Sequence, residues 1–232
     1  MKILAIDTAT EACSVALWQD GAVIHRYEVL GRGHAEHVLP MVDAVLAEAG
    51  VALATVDAIG VGRGPGAFTG VRIGVSVAQG LACGAGLPVV PVSNLAALAA
   101  RARRQGAGPQ VVACMDARMY QVYWAPFDLA DAARPVALLA EAVSDPGRVL
   151  LPRGGDWFGA GHGFGAYPAL HTLLGERLVG FDAELLPHAW DVAVLAAAGY
   201  ADGLAVAPEL AVPVYLRDEV ASRGVRPPLA PS

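Results

Sequence analysis

The segment Gly62-Arg63-Gly64-Pro65-Gly66-Ala67-Phe68-Thr69-Gly70-Val71-Arg72-Ile73-Gly74 has the glycine density of a phosphate-binding loop and lacks the residues such a loop uses. A P-loop places a lysine after its glycines to reach the β- and γ-phosphates. The single lysine of this chain is Lys2. A dinucleotide loop reads G-x-G-x-x-G and is followed about 20 residues later by an acid. Here Gly62 and Gly64 are followed by Ala67, and no acid stands between Asp57 and Asp116. The segment reads as a strand-to-helix turn built for tight backbone, without phosphate chemistry of its own.

The carboxylates that could do chemistry sit elsewhere. A two-metal nuclease needs several of them converging on one site. Asp7 stands at the end of the first apolar run, but the matching strand end offers Arg63. A phosphotransferase of the actin-like kind needs a phosphate loop in each half of the chain. Asp7-Thr8-Ala9-Thr10 and Asp116-Ala117-Arg118 occupy those places as degenerate turns, because neither contains a glycine whose amide could approach phosphate closely. His34 and His37 are spaced to share an ion, yet a catalytic metal wants a third ligand and the sequence suggests none. The plainer reading makes them exposed polar residues of a first helical turn, and no metal is expected. His25, His162, His171 and His188 have no partner evident from spacing, and no G-x-S-x-G marks a serine nucleophile.

The elements that must position these residues follow from periodicity. Ile3–Ile6 is a continuous apolar run ending at Asp7, the pattern of a strand buried on both faces. Alternation over Cys13–Trp18 gives a second strand, Asp20-Gly21 a hairpin turn, and Val23–Leu30 a third. A helix is expected over Ala35–Ala49, ended by Gly50, then a strand over Val56–Gly62. A second helix runs from about Thr69, its expected N-cap, to Cys83. Pro88–Val92 is a fifth strand, and Ser93 or Asn94 caps a helix ending near Arg104. This β-β-β-α-β-α-β-α order resembles the ribonuclease-H-like half shared by actin, sugar kinases and the heat-shock chaperone ATPase. Gln105–Pro109 is a linker, after which the pattern restarts: Val111–Met115, a turn at Asp116–Met119, a strand from Tyr120 to Ala125. Trp157–Gly163 reads as a strand then a glycine turn, and Asp191 as the cap of a late helix to about Gly203. The expected architecture is α/β, actin-like: two related subdomains, 1–104 and a reduced 110–221, each a mixed sheet flanked by helices. A disordered tail is expected over 222–232.

Composition narrows the function classes. The 232 residues are 55% hydrophobic and 16% charged, with a formal net charge of −6. That balance opposes autonomous nucleic-acid binding, whose affinity comes from neutralising phosphates. The one basic cluster, Arg101, Arg103 and Arg104, is expected to be a solvated helix end. Three widely separated cysteines fit a reducing compartment, and with no signal-peptide layout or bilayer-length apolar run the expected location is cytoplasmic, away from membranes.

The second helix is unusually apolar. Between Val71 and Gly84 its polar residues are Arg72, Ser76 and Gln79, one narrow stripe. Gly70, Gly74, Ala78 and Ala82 form a small-residue ridge that lets another backbone approach. Such a helix must be covered on more than one side, by its own sheet or by another protein. Val38, Val42, Val45, Val71, Gly74, Val75, Ala78 and Ala82 are therefore candidates for a partner interface or for the core, two roles that sequence leaves open.

Four motifs in order carry a resemblance to one family. They are Met1–Thr10, the Gly62–Gly74 loop, Met115–Met119 with Val122-Tyr123-Trp124, and Pro213-Val214-Tyr215-Leu216-Arg217-Asp218. Together they resemble the bacterial TsaB (YeaZ) family, over residues 1 to about 221 and loosely between 127 and 190. The resemblance implies a part in making N6-threonylcarbamoyladenosine (t6A) in tRNA. It implies a non-catalytic scaffold that docks the catalytic subunit TsaD through the first two helices, with the ATPase TsaE joining the pair. It also implies homodimers through the same surface when TsaD is absent, tRNA met only through the complex, no cofactor for the chain alone, and ATP used by the complex. The competing reading is an enzyme in its own right, a peptidase or a small-molecule kinase of the actin-like group.

Overall fold

The computed structural model describes residues 1–217; the expected tail at 222–232 and the last residues of the second subdomain, 218–221, lie outside the described residues. The first sheet is built from β1 (Lys2–Asp7), β2 (Ala12–Gln19), β3 (Ala22–Val29), β4 (Ala58–Gly62) and β5 (Val89–Val92), in the order β3-β2-β1-β4-β5. β1 is central because Ile3, Leu4, Ala5 and Ile6 offer apolar side chains to both faces, and all four are fully buried. It pairs antiparallel with β2 and parallel with β4. The second sheet contains β6 (Gln110–Asp116), β7 (Val122–Asp128), β8 (Val136–Ala137), β9 (Ala142–Ser144), β10 (Trp157–Ala160) and β11 (Leu178–Asp182). Its order is β11-β10-β6-β7-β8, with β9 also on β7.

Helices fill three layers around the two sheets. α1 (His34–Ala49) and α2 (Phe68–Ala85) cover the outer face of the first sheet. α3 (Asn94–Arg104) and α6 (Ala189–Ala201) lie between the sheets, in one core that joins Ile3 and Ala5 to Val111, Ala113 and Met115. The short α4 (Gly163–Ala166) and α5 (Ala169–Leu174) cover the far face of the second sheet over Trp124, Trp157 and Phe164. The break at Gln105–Pro109 thus separates two sheets, but α6 returns to pack on β1, β2 and β4. Residues 211–217 return further still, with Val214 N–H donating to Arg63 O at 2.8 Å.

Helix ends follow local chemistry, with two differences from the sequence reading. Ser93 caps α3, its hydroxyl accepting from Ala96 N–H at 3.2 Å, and Gly50 closes α1 in the left-handed conformation. α2, however, starts at Phe68 after an Ala67 that has no capping side chain, so Thr69 lies inside the first turn. α6 is capped by His188, whose Nδ1 accepts from Trp190 N–H at 2.8 Å. Asp191 instead points inward to a bidentate pair with Arg104, at 2.9 and 2.8 Å.

The arginine cluster is correspondingly only partly solvated, with Arg101 and Arg103 half-buried and Arg104 exposed. Arg104 pairs with Asp191, Arg103 donates to Ala107 O at 3.0 Å, and Arg101 donates to Leu186 O at 2.8 Å. Arg101 also stands over the Tyr27 ring at 5.0 Å, and the imidazole of His188 stacks on the other participant of that contact, Tyr27, at 4.7 Å. Arg101, Arg104 and His188 tie α3, α6 and strand β3 together. Sequence spacing cannot show this, because the partners are more than 70 residues apart.

Candidate functional site

The turn after β1 is where a fold of this type places its phosphate chemistry, and here its Asp7 and Thr8 are packed inward while Ala9, Thr10 and Glu11 line a cleft. Asp7 is buried, its Oδ1 accepting from Ala9 N–H at 3.2 Å and its Oδ2 from the Asn94 side-chain amide. Thr8 Oγ1 donates to Gly70 O at 2.7 Å, and Thr10 Oγ1 accepts from Ala12 N–H at 3.3 Å. His34 Nε2 donates to Thr10 O at 2.9 Å. His34 is therefore a buried strut of this turn, whereas His37 is exposed and bonds Gly33 O at 2.8 Å. The two histidines do not converge.

The glycine loop is the lid on this turn. A Cβ on Gly70 would stand 2.1 Å from Thr8 O, one on Gly66 2.3 Å from Ala9 O, and one on Gly62 2.1 Å from Asp7 Oδ2. Ala67 N–H donates to Ala9 O at 2.7 Å. Asn94 joins loop to turn, its Oδ1 accepting from Gly64 N–H at 2.7 Å while its amide serves Asp7. Gly64, Gly66 and Gly70 thus let protein backbone approach protein backbone, while Gly62 and Gly74 leave room for the Asp7 and Thr8 side chains. The space that a P-loop keeps for phosphate is taken by residues 7–10. Asn94 escaped the sequence reading except as a helix cap, since nothing local links it to an aspartate 87 residues away.

Burial raises the Asp7 carboxyl from 3.8 to about 7, against the opposing bonds from Ala9 and Asn94. Burial with nearby Arg101, His25 and Arg104 lowers His188 from 6.5 to about 3. The linkage signs are opposite. Folded Asp7 holds its proton more tightly than unfolded Asp7, so its contribution is full below 3.8 and is lost as pH rises to about 7. Folded His188 resists protonation, so its contribution is full above 6.5 and is lost as pH falls towards 3. Asparagine at 188 keeps a capping oxygen and cannot titrate. The stability difference between wild type and His188→Asn, from urea melts across pH, should therefore grow with pH up to about 6.5 and then level off. Its limiting slope is about 1.4 kcal/mol per pH unit. A flat difference would show that His188 titrates normally in the fold.

The second turn lines the same cleft from the other side. Asp116 Oδ1 accepts from Arg118 N–H and from Tyr167 OH, both at 2.8 Å, and Asp116 N–H donates to His162 Nδ1 at 3.0 Å. Arg118, Met119 and Tyr120 then run consecutively through the left-handed region, at φ 62°, 55° and 58°. Each such non-glycine residue costs about 1 kcal/mol, yet Met119 and Tyr120 are 81% and 64% exposed.

Between the two turns lies a cleft of about 710 Å³, reached by Thr10, Glu11, Glu36, Thr69, Arg118 and His162. It holds both signs of charge. Beside it a shallower groove of about 440 Å³ runs between α1 and α2, lined by Ala35, Phe68, Arg72, Ile73, Ser76 and Val77. Among the described residues no cluster of three histidine, cysteine or acidic side chains is placed to hold a metal ion, and no helix is long and apolar enough to cross a membrane.

Burial also divides the apolar positions on these helices. Val38, Val42 and Val45 pack under α1, and Val71, Gly74, Val75, Ala78 and Ala82 under α2, all buried against the first sheet. They are core residues. The small-residue ridge is approached by this chain's own β1–β2 turn, for a Cβ on Gly70 would stand 2.1 Å from the Thr8 carbonyl oxygen and one on Gly74 2.7 Å from the Thr8 hydroxyl. The outward face of α2 is a different stripe: Thr69, Arg72, Ser76 and Gly80 exposed, flanked by half-buried Ile73 and Val77.

Comparison with known proteins places this geometry in a family. Residues 26–173, which include parts of both sheets, match the model of the family "TsaD: tRNA N6-adenosine threonylcarbamoyltransferase". The chain is 46% identical to the "tRNA threonylcarbamoyladenosine biosynthesis protein TsaB" of Escherichia coli strain K12, covering 95% of this chain and 96% of that one. It is 40% identical to the protein of the same name from Haemophilus influenzae, covering 95% of each. The solved structure of YeaZ from Pseudomonas aeruginosa superposes with a TM-score of 0.87 at 50% identity, over 93% of this chain and 99% of that one. With the actin-like, ribonuclease-H-like architecture of two helix-flanked mixed sheets, these similarities show that the chain belongs to the TsaB (YeaZ) family.

Proposed function

We propose that this chain is a non-catalytic scaffold of tRNA threonylcarbamoyladenosine synthesis, docking the catalytic subunit TsaD on the α1–α2 groove. TsaE joins the docked pair, ATP is used by the complex, and tRNA is met only through the complex. Without TsaD, the same groove pairs two copies of the chain. The observation that carries the reading is the packed turn at residues 7–10. Its Asp7 carboxylate is taken up by Asn94 and Ala9 and its Thr8 hydroxyl by Gly70, so neither side chain is among those that line the adjoining cleft. The names of the relatives supply the pathway. The groove supplies an apolar, partly open face beside a single arginine, the composition of an interface core.

A modification assay with TsaD, TsaE, threonylcarbamoyl-adenylate and unmodified tRNA tests this, with and without the chain. Ser76 is exposed in the groove, so Ser76→Arg should leave folding stability within about 0.5 kcal/mol. It should weaken TsaD binding about 30-fold, the size of an interface hot spot, and modification should fall with it. Asp7→Asn keeps the shape of the buried side chain, and modification should survive it. Loss of modification in an Asp7→Asn complex that still assembles would mean that the chain contributes chemistry, and the scaffold reading would fail.

A further inference from the structure

Residues 211–217 form a strap that touches both the groove and the cleft. At its start Gln79 Nε2 donates to Ala211 O at 3.0 Å. In its middle Val214 bonds Arg63 O at 2.8 Å and passes so close to Gly64 that a Cβ there would stand 2.7 Å from Val214 O. Tyr215 OH accepts from Arg72 Nε at 2.7 Å, and the Arg72 guanidinium lies 3.5 Å above the Phe68 ring. Phe68 and Arg72 both line the α1–α2 groove. At the far end Arg217 Nη2 donates to Ala117 O at 3.0 Å and to Gln121 Oε1 at 2.6 Å, and its Nη1 reaches Met119 Sδ at 3.5 Å. Those are residues of the left-handed turn on the cleft's other wall.

We infer that this strap couples the α1–α2 groove to the turn at 117–121, so that occupancy of the groove and ordering of the turn stabilise one another. The inference rests on the docking reading above for its partner, though not for its mechanism. The bistable element is the latch made by Tyr215 and Arg217. A partner gripping Phe68 and Arg72 meets side chains already oriented by Tyr215, and so binds the latched state better than the unlatched one. A carboxylate is the partner group that suits Arg72, because Arg72 lines the groove with only its Nε committed to Tyr215 among the described contacts. The latched state holds the turn through Arg217, whose acceptors there are two neutral oxygens and a thioether. By linkage, whatever orders the turn must strengthen binding at the groove by the same factor.

Amide hydrogen exchange on the full chain tests the coupling in both directions. In the chain alone, Arg217→Gln should speed exchange at residues 117–121 and, remotely, in the first turn of α2. Tyr215→Phe should speed exchange at 117–121, at the end of the strap that it does not touch. Remote changes of about 5-fold or more are expected. Adding TsaD should slow exchange at 117–121 in the wild type and leave it unchanged in Arg217→Gln. Exchange changes confined to the mutated end of the strap would overturn the inference. Remote changes in the two variants, together with a wild-type chain that does not bind TsaD, would sink the docking reading and leave the coupling standing.

Discussion

Replacing Arg104 by methionine should destabilise the protein by about 3 kcal/mol, read as a shift in urea midpoint at unchanged slope. The size follows from what is left behind. Asp191 is 3% exposed and its two oxygens are met by the two arms of Arg104. Burial already pushes the Asp191 carboxyl upward, and Arg104 is the principal opposing influence. Removing the arginine strands a carboxylate in the core between the sheets, a change worth about 3–5 kcal/mol in such sites. The lower figure applies because the arginine side chain is 36% exposed, so water screens part of the pair, and because Arg101 still lends positive charge. The double variant Arg104→Met with Asp191→Leu should recover much of the loss, since a matched apolar pair leaves no buried charge. A double variant no more stable than Arg104→Met alone would show that the ion pair's geometry, rather than a stranded charge, holds α3 to α6.

How much of this was legible in the sequence depends on how local each cause is. β1 announces itself because four consecutive apolar residues at the centre of a sheet need no partner to be recognised. The hairpin at Asp20-Gly21 and the closure of α1 at Gly50 are equally local, each a left-handed residue at a turn. The restart after Gln105–Pro109 is visible for the same reason, as a repeated run of strand, aspartate and turn. What stayed hidden is pairing across distance. An α2 helix that is apolar nearly all round is compatible with an interface on any face. Only the position of the first sheet decides that Val71, Val75, Ala78 and Ala82 point into this chain and that Arg72, Ser76 and Gly80 point out. Asp191 has the composition of a helix cap, and loses that role because Arg104 arrives from α3 and His188 is better placed. His34 reads as an exposed polar residue until the β1–β2 turn offers it a carbonyl.

Gly70→Ala should cost about 3 kcal/mol and disturb the whole candidate site, whereas Gly80→Ala in the same helix should stabilise the isolated chain. On helix propensity alone both changes gain about 1 kcal/mol. They differ in what the new methyl meets. At Gly80 nothing lies within 4 Å, so the propensity gain stands. At Gly70 the methyl would stand 2.1 Å from the Thr8 carbonyl oxygen, which is backbone and cannot rotate aside. Overpacking of this kind costs about 1–3 kcal/mol or more when a main chain must move. Here the displaced segment also carries the Thr8 hydroxyl bond to Gly70 O and the Ala67 bond to Ala9 O. The measurement is paired thermal and urea unfolding of the two variants with exchange at residues 7–12. Gly70→Ala should lower the midpoint and loosen that turn; Gly80→Ala should raise the midpoint and leave the turn untouched. If Gly70→Ala is instead neutral, the loop is not pressed against the turn. The space beside Thr8 would then be open, and backbone would not fill the phosphate-loop position. A stabilising Gly80→Ala that weakens TsaD binding would carry a further meaning. The bare helix surface at Gly80 would then be reserved for a partner's close approach, at the expense of the chain's own stability.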